Sequence, residues 1–461
     1  MCIRDRITTD REVIYIIYKK VIEGRICTPE TVDKIGCYGN ALVCVNQQGL
    51  IASVLFPNNS QYGEIKQTAI SQGDYHQLAA DEYLLPGYVD LHVHAPQWPQ
   101  AGLALDLPLA DWLDHYTFPL ESKCSDLNYS KTIYDSLVKE LLSQGTTTAL
   151  MFGTIYNDSN IILAKACLEY GLRGFIGQVA MDNADQTPAY YRNQSAKDAI
   201  DATELFIKQL QKLSNDADRV VPVITPRFVP SCSDACLQGL GQLANKYNVP
   251  VQTHVSESSW EHGYVLDRFK ATDTSVLDQF GLLTDRTILM HATHLTDDDM
   301  ILLAKRKAAL AHCPISNAYF GNGVMRVKEI LAKQIKLGLG TDISGGYSSS
   351  IYHNIRQAVI SSRMLEDGVD TTKQATTRGV ANSRINIATA FYMATVEGAE
   401  ALHLNTGRIK EGYKADFQVV KSHPSVITLS DEQMIERILY QTQQSDIKQV
   451  YVDGNLVYCK D

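Results

Sequence analysis

Eight short apolar runs, each separated from the next by a stretch able to form an amphipathic helix, constrain the fold of this chain more than any other feature. They fall at residues 88–94, 147–152, 174–180, 220–228, 249–255, 287–292, 308–313 and 335–342. Side chains alternate across a strand, so a continuously apolar run must be buried on both faces, as in a parallel sheet covered by helices. Residues 129–143, 160–170, 199–213, 234–247 and 297–307 carry the helical spacing that would supply such cover. Eight strand–helix units predict an α/β fold, a (β/α)8 barrel of TIM type, over residues 86–403.

The two chain ends read differently. Residues 13–18, 41–45 and 49–55 near the start, and 417–420, 447–451 and 456–458 near the end, are short strand candidates. The last pair is separated by a turn at Asp453-Gly454. Together they predict one small discontinuous β-sandwich domain from residues 7–85 and 404–461. Met1 to Arg6 reads as a translated sequencing-library adapter, a non-native start that carries no weight in the fold argument.

Composition excludes several classes of function. With 42 Lys and Arg against 52 Asp and Glu, the formal net charge is −10, which speaks against non-specific nucleic-acid binding. No apolar run is long enough to span a bilayer, and no secretory signal is evident, so a cytoplasmic setting is expected. The ten cysteines contain no C-x-x-C pair. Cys232 and Cys236, the closest two, do not have zinc-ribbon spacing, and all are expected as free thiols in a reducing compartment.

In a barrel of this type the chemistry sits at the carboxyl ends of the strands. The first run ends in His92-Val93-His94, whose imidazoles project to one side. The fifth ends at His254 and is followed by Glu257; the sixth ends at His291; the eighth ends at Asp342. Each alone has an ordinary reading: a bonded core histidine for His254 or His291, a helix cap for Asp342, a helix-start acid for Glu257. Barrel closure would bring them into one place, where three imidazoles and a carboxylate suit zinc with a position left for water. Asp342 could then take the water's proton, and Glu257 is placed to carry a proton to the substrate.

These residues resemble a known family. The run Pro86-Gly87-Tyr88-Val89-Asp90-Leu91-His92-Val93-His94 resembles the first-strand motif of the amidohydrolase superfamily, and its extension from Ala95 through Gln97 to Gly102 is similar to the guanine deaminase family within it. Further matches are Thr225-Pro226-Arg227-Phe228, the stretch from Gln252 to Glu257, Ala311-His312-Cys313-Pro314, Gly340-Thr341-Asp342, and the segment from Asp106 to Pro119. The resemblance implies hydrolytic deamination of guanine to xanthine and ammonia, with one zinc ion per chain held by His92, His94, His254 and Asp342. It implies Glu257 as proton shuttle, His291 beside the activated water, and Gln97, Arg227 and Phe228 as substrate contacts, with His94, His254 and Asp342 also facing the base. It implies a homodimer as well.

The fourth run ends in Pro226-Arg227-Phe228 and offers no lysine to bridge a second metal. Arg227 has only donors, which suits the O6 and N7 acceptors of guanine and opposes the 6-amino group of adenine. Phe228 could stack on the base or pack in the core. The alternatives are a deaminase of the same superfamily acting on 8-oxoguanine, cytosine, an adenine-type base or a triazine, and a metal-free scaffold of the same fold. The H-x-E with P-C-x-x-C signature of cytidine deaminases is absent.

Overall fold

The computed structural model describes residues 18–213 and 218–460. Sixteen strands form two sheets among these residues. The first strands are β1 (Lys20–Thr31), β2 (Lys34–Val45), β3 (Ile51–Leu55), β4 (Tyr75–Gln77) and β5 (Glu82–Pro86). The eight expected runs follow as β6 (Tyr88–His94), β7 (Thr146–Phe152), β8 (Arg173–Ala180), β9 (Val220–Pro226), β10 (Val251–Val255), β11 (Thr287–His291), β12 (Ala309–His312) and β13 (Leu337–Leu339). The chain finishes with β14 (Phe417–Lys421), β15 (Ile447–Val452) and β16 (Asn455–Cys459).

Strands β6 to β13 pair in parallel in strict chain order. Every residue of β6, β7 and β8 is buried, as runs apolar on both faces require. The barrel closes just beyond β13. The Asp342 amide donates to the His92 carbonyl at 2.8 Å, and the His94 amide donates to Ile343 at 2.7 Å. Asp90 adds a side-chain clasp, accepting from the Thr341 amide at 2.9 Å and its hydroxyl at 2.6 Å. The (β/α)8 barrel is therefore present.

The covering helices start where capping side chains direct. Asp126 caps Leu127–Ser143, Ser195 caps Ala196–Leu210, Ser233 caps Asp234–Tyr247, and Thr296 forms a capping box at Asp297–Arg306. These are the expected helices, shifted by at most three residues. The 17-residue helix Ile351–Asp367 escaped the sequence reading.

The chain ends together build a second, mixed sheet in the order β16-β15-β14-β5-β1-β2-β3, with β4 beside β1. The strands expected at the two chain ends thus come together in one continuously hydrogen-bonded sheet. The long β1–β2 hairpin was only partly foreseen, because a register shift between Gly24 and Ile26 interrupts its alternation. The run expected at 13–18 lies outside the described residues except for Tyr18, as does the segment from Met1 to Arg6. Cys232 and Cys236 are buried, and the Cys232 thiol donates to the Ala180 carbonyl at 3.3 Å. No helix among the described residues is long and apolar enough to cross a membrane.

Candidate active site

His92 and His94, two apart on β6, reach the same side of the barrel mouth. Around them stand His254 at the end of β10, His291 at the end of β11 and Asp342 just past β13. His94 Nε2 lies 3.1 Å from His254 Nε2. Asp342 Oδ1 lies 3.0 Å from His92 Nε2 and 3.5 Å from His94 Nε2. In a tetrahedron with zinc–nitrogen bonds of ~2.0–2.1 Å, neighbouring ligand atoms sit about 3.3 Å apart. The observed separations bracket that spacing.

The protonation states also suit a cation. The His254 Nδ1 is 2.6 Å from the Arg227 carbonyl, which can only accept, so the proton sits on Nδ1 and Nε2 is left with its lone pair. Burial pushes the pKa of His94 and His254 well below the usual imidazole value and keeps both neutral, the form that ligates metal. Asp342 is held far down the carboxylate range: burial alone would raise it, but His92 and His291 outweigh that. Both ring nitrogens of His92 are buried and make no hydrogen bond, despite the nearby carboxylate. A cation held between His92 Nε2 and Asp342 Oδ1, which stand 3.0 Å apart without forming a hydrogen bond, would satisfy that buried nitrogen.

Backbone strain accompanies the cluster. His291, Ala292 and Asp342 all take left-handed conformations, with φ of 65°, 47° and 52°. Non-glycine residues enter that region at a cost, and such outliers gather where geometry is held for function.

Beside His291 stands Glu257, its Oε2 3.7 Å from His291 Nε2 and its Oε1 receiving the Asn322 amide at 3.1 Å. Burial pushes the Glu257 carboxyl above its ordinary pKa. His291 Nδ1 faces Asn317 Oδ1 at 2.9 Å, which leaves Nε2 directed at the two carboxylates. The backbone of Glu257 is fixed as well: its amide donates to Glu261 at 2.7 Å, and its carbonyl accepts from the Thr293 hydroxyl at 2.8 Å.

Across the site, Gln97 and Arg227 line the same cavity of about 940 Å³ as His94, His254, Glu257 and Asp342. Arg227 follows β9, where its backbone is pinned by the Ala180 and His254 backbones. Its guanidinium makes a two-pronged ion pair with Glu121, at 2.7 and 3.1 Å. This ion pair was not foreseen from the sequence, and it is buried. Phe228 is half-buried in the cavity wall, 6.1 Å from the Trp260 ring. All nine expected site residues therefore meet at one barrel mouth.

Sequence reasoning missed Glu121, Asn322 and Glu261. Each is an acid or amide in a short helix or loop, where no period reveals an inward face. Only the proximity of Glu121 to the matched segment ending at Pro119 offered a signal.

Comparison with known proteins agrees with this architecture. The amidohydrolase family model matches residues 83–457, and the chain belongs to that family. It is 36% identical over 399 residues to a probable guanine deaminase of Schizosaccharomyces pombe, covering 84% of this chain and 74% of that one. It is 33% identical to the guanine deaminase of Mus musculus, covering 90% and 91% of the two chains. Among solved structures, guanine deaminase from C. acetobutylicum with guanine bound in its active site superposes with a TM-score of 0.85 at 31% identity, covering 95% of this chain and all of that one.

Proposed function

We propose that this chain hydrolyses guanine to xanthine and ammonia, using one zinc ion per chain held by His92, His94, His254 and Asp342. The observation that carries the reading is the juxtaposition, in one cavity, of that donor cluster, the buried acid Glu257 and the Gln97–Arg227 pair. The similarity to a guanine deaminase that holds guanine in its active site supports the choice of base.

Zinc bound there would supply the Lewis acidity that makes a water nucleophilic near neutral pH. The remaining work falls to the chain. Arg227 has five N–H bonds and spends two of them on Glu121, so donors remain for O6 and N7 of guanine. Adenine would set its 6-amino group against those donors and leave both unpaired in a buried site. Gln97 reads a second stretch of the base edge, and Phe228 covers a face of the ring. As water oxygen bonds to C2, Glu257 gives a proton to the adjacent ring nitrogen, which takes up the displaced electron pair. Asp342, with His291 beside it, receives the water's proton. The C2–amine bond then breaks as Asp342 passes that proton to the departing nitrogen, the C2 hydroxyl returns a proton to Glu257, and ammonia leaves.

Ammonia release is measured with guanine, adenine, cytosine and 8-oxoguanine on zinc-loaded protein. Turnover of guanine alone, with xanthine as product, is the expected result; no guanine turnover with the metal bound would remove the substrate assignment. Elemental analysis should give one zinc per chain. The same reading takes residues 86–403 as the catalytic barrel, residues 7–85 with 404–461 as the end domain, and a cytoplasmic homodimer as the working form, which light scattering checks.

A further inference from the structure

Glu121 touches no reacting atom in the scheme above, yet it is a fully buried carboxylate beside the side chains assigned to the base. Such burial is rare unless the charge is paired. Glu121 lies on the short helix Phe118–Ser122, whose first residue also lines the cavity. It makes three contacts. Two go to the Arg227 guanidinium at 2.7 and 3.1 Å, and the third receives the Gln97 side-chain amide at 2.7 Å.

Those contacts remove the freedom of both partners. A carboxylate can only accept, so Gln97 must turn its NH2 end toward Glu121. Its Oε1 then accepts the Ser344 backbone amide at 3.3 Å, and that donor fixes the same orientation independently. The fork of two bonds sets the plane of the Arg227 guanidinium, whose central carbon sits 5.0 Å from the centre of the Phe118 ring. Glu121 also neutralises Arg227, so the cavity meets a ligand with directed donors and a compensated charge.

We propose that Glu121 is a positioning residue for base specificity: it holds Arg227 and Gln97 in the single donor and acceptor arrangement that recognises a purine carrying a 6-oxo group. The proposal rests on the guanine reading above. Burying an ion pair where apolar side chains would fit is poor value for stability alone. Without the carboxylate, Gln97 keeps only the 3.3 Å bond from the Ser344 amide to hold its orientation, and Arg227 is free to swing from the base edge.

The test compares guanine with 2-aminopurine, which keeps the 2-amino group and lacks the 6-oxo acceptor. Both are measured on zinc-loaded wild type and Glu121→Gln, with 2-aminopurine as alternative substrate or as competitive inhibitor. Loss of one charged hydrogen-bond arrangement should raise KM for guanine about tenfold and lower the preference for guanine over 2-aminopurine by a similar factor. The kcat should stay within about threefold, since the reacting groups are untouched. An equal loss for both bases would mark a merely structural residue and overturn the proposal, as would an unchanged preference. If Glu121→Gln does not fold, Glu121→Asp carries the test, because it keeps the charge and shortens the reach; its preference should fall about threefold, and no fall overturns the idea. Wild type inactive on guanine would sink the proposed function itself. Active wild type beside a variant of unchanged preference would sink only the role of Glu121.

Discussion

Glu257 and Gly340 show how much of this site depends on single positions. The Glu257 carboxyl is held by Asn322 on one oxygen and faces His291 with the other, so an amide in its place would keep the shape and lose the exchangeable proton. Glu257→Gln should therefore retain zinc and the melting temperature while kcat drops by about 10²–10⁴, the range general acid–base catalysis contributes. Steady-state rates alongside metal content check this, and a zinc-loaded variant of normal rate would exclude Glu257 as the proton carrier. Gly340 acts through space. A Cβ there would lie 2.6 Å from the His92 Cβ and 3.0 Å from its backbone nitrogen, and neither can rotate away. Gly340→Ala should push β6 from the closing segment, weaken metal affinity by about 10–100-fold in chelator competition and cost about 1–3 kcal/mol of stability. Unchanged affinity would show that the barrel seam can yield without moving His92.

At the scale of elements, the segments that follow β10 and β11 are tied together. The Thr293 hydroxyl bridges the carbonyls of Ser256 and Glu257, both at 2.8 Å, while Glu261 holds the Glu257 amide from the other side. Thr293→Val keeps the volume and removes the bridge. It should lower kcat about tenfold or more with zinc content unchanged, since Glu257 loses its fixed placement. A kcat equal to wild type would mean that Glu261 suffices. This layer of support was invisible in the sequence, because Thr293, Glu261 and Asn322 belong to no period or motif and matter only through which backbone group they meet. The strands carrying His92, His254 and His291 were legible for the opposite reason: continuous burial writes itself as a continuous apolar run. Asp342 was legible as the end of such a run, although β13 itself stops at Leu339 and the closing residues run beyond it. The β1–β2 hairpin was less legible, since Glu23 and Arg25 interrupt its apolar pattern and find polar partners in Tyr62 and Tyr83. Arg227 was read as a base contact without its counter-ion, because the separation of 106 positions between it and Glu121 is bridged only by the fold.

Taken as a whole, the molecule joins its barrel to its end sheet through a buried charge. Arg173 opens β8 and is fully buried, with one arm on Asp416 just before β14 at 2.5 Å and another on Asp453 in the β15–β16 turn at 2.7 Å. Burial would raise the Asp416 carboxyl, but the Arg173 guanidinium holds it below the usual range. A carboxyl lowered on folding contributes stability above its unfolded pKa, and that contribution is lost as pH falls through the folded value. In wild type the joint therefore weakens only in acid. Arg173→Met reverses the sign. Asp416 is then buried without its counter-ion, its pKa rises above the unfolded value of about 3.9, and the folded state favours the protonated form. The variant should lose about 3–5 kcal/mol near neutral pH, as expected when one partner of a buried pair is removed. Its deficit should shrink as pH is lowered toward the raised Asp416 value, where the carboxyl becomes neutral on folding. Denaturant unfolding of both proteins from neutral pH down to about pH 5 reads the difference directly. A deficit that stays constant across that window would mean that Asp416 keeps its charge by another route, and that the junction depends on Arg173 for packing rather than for charge.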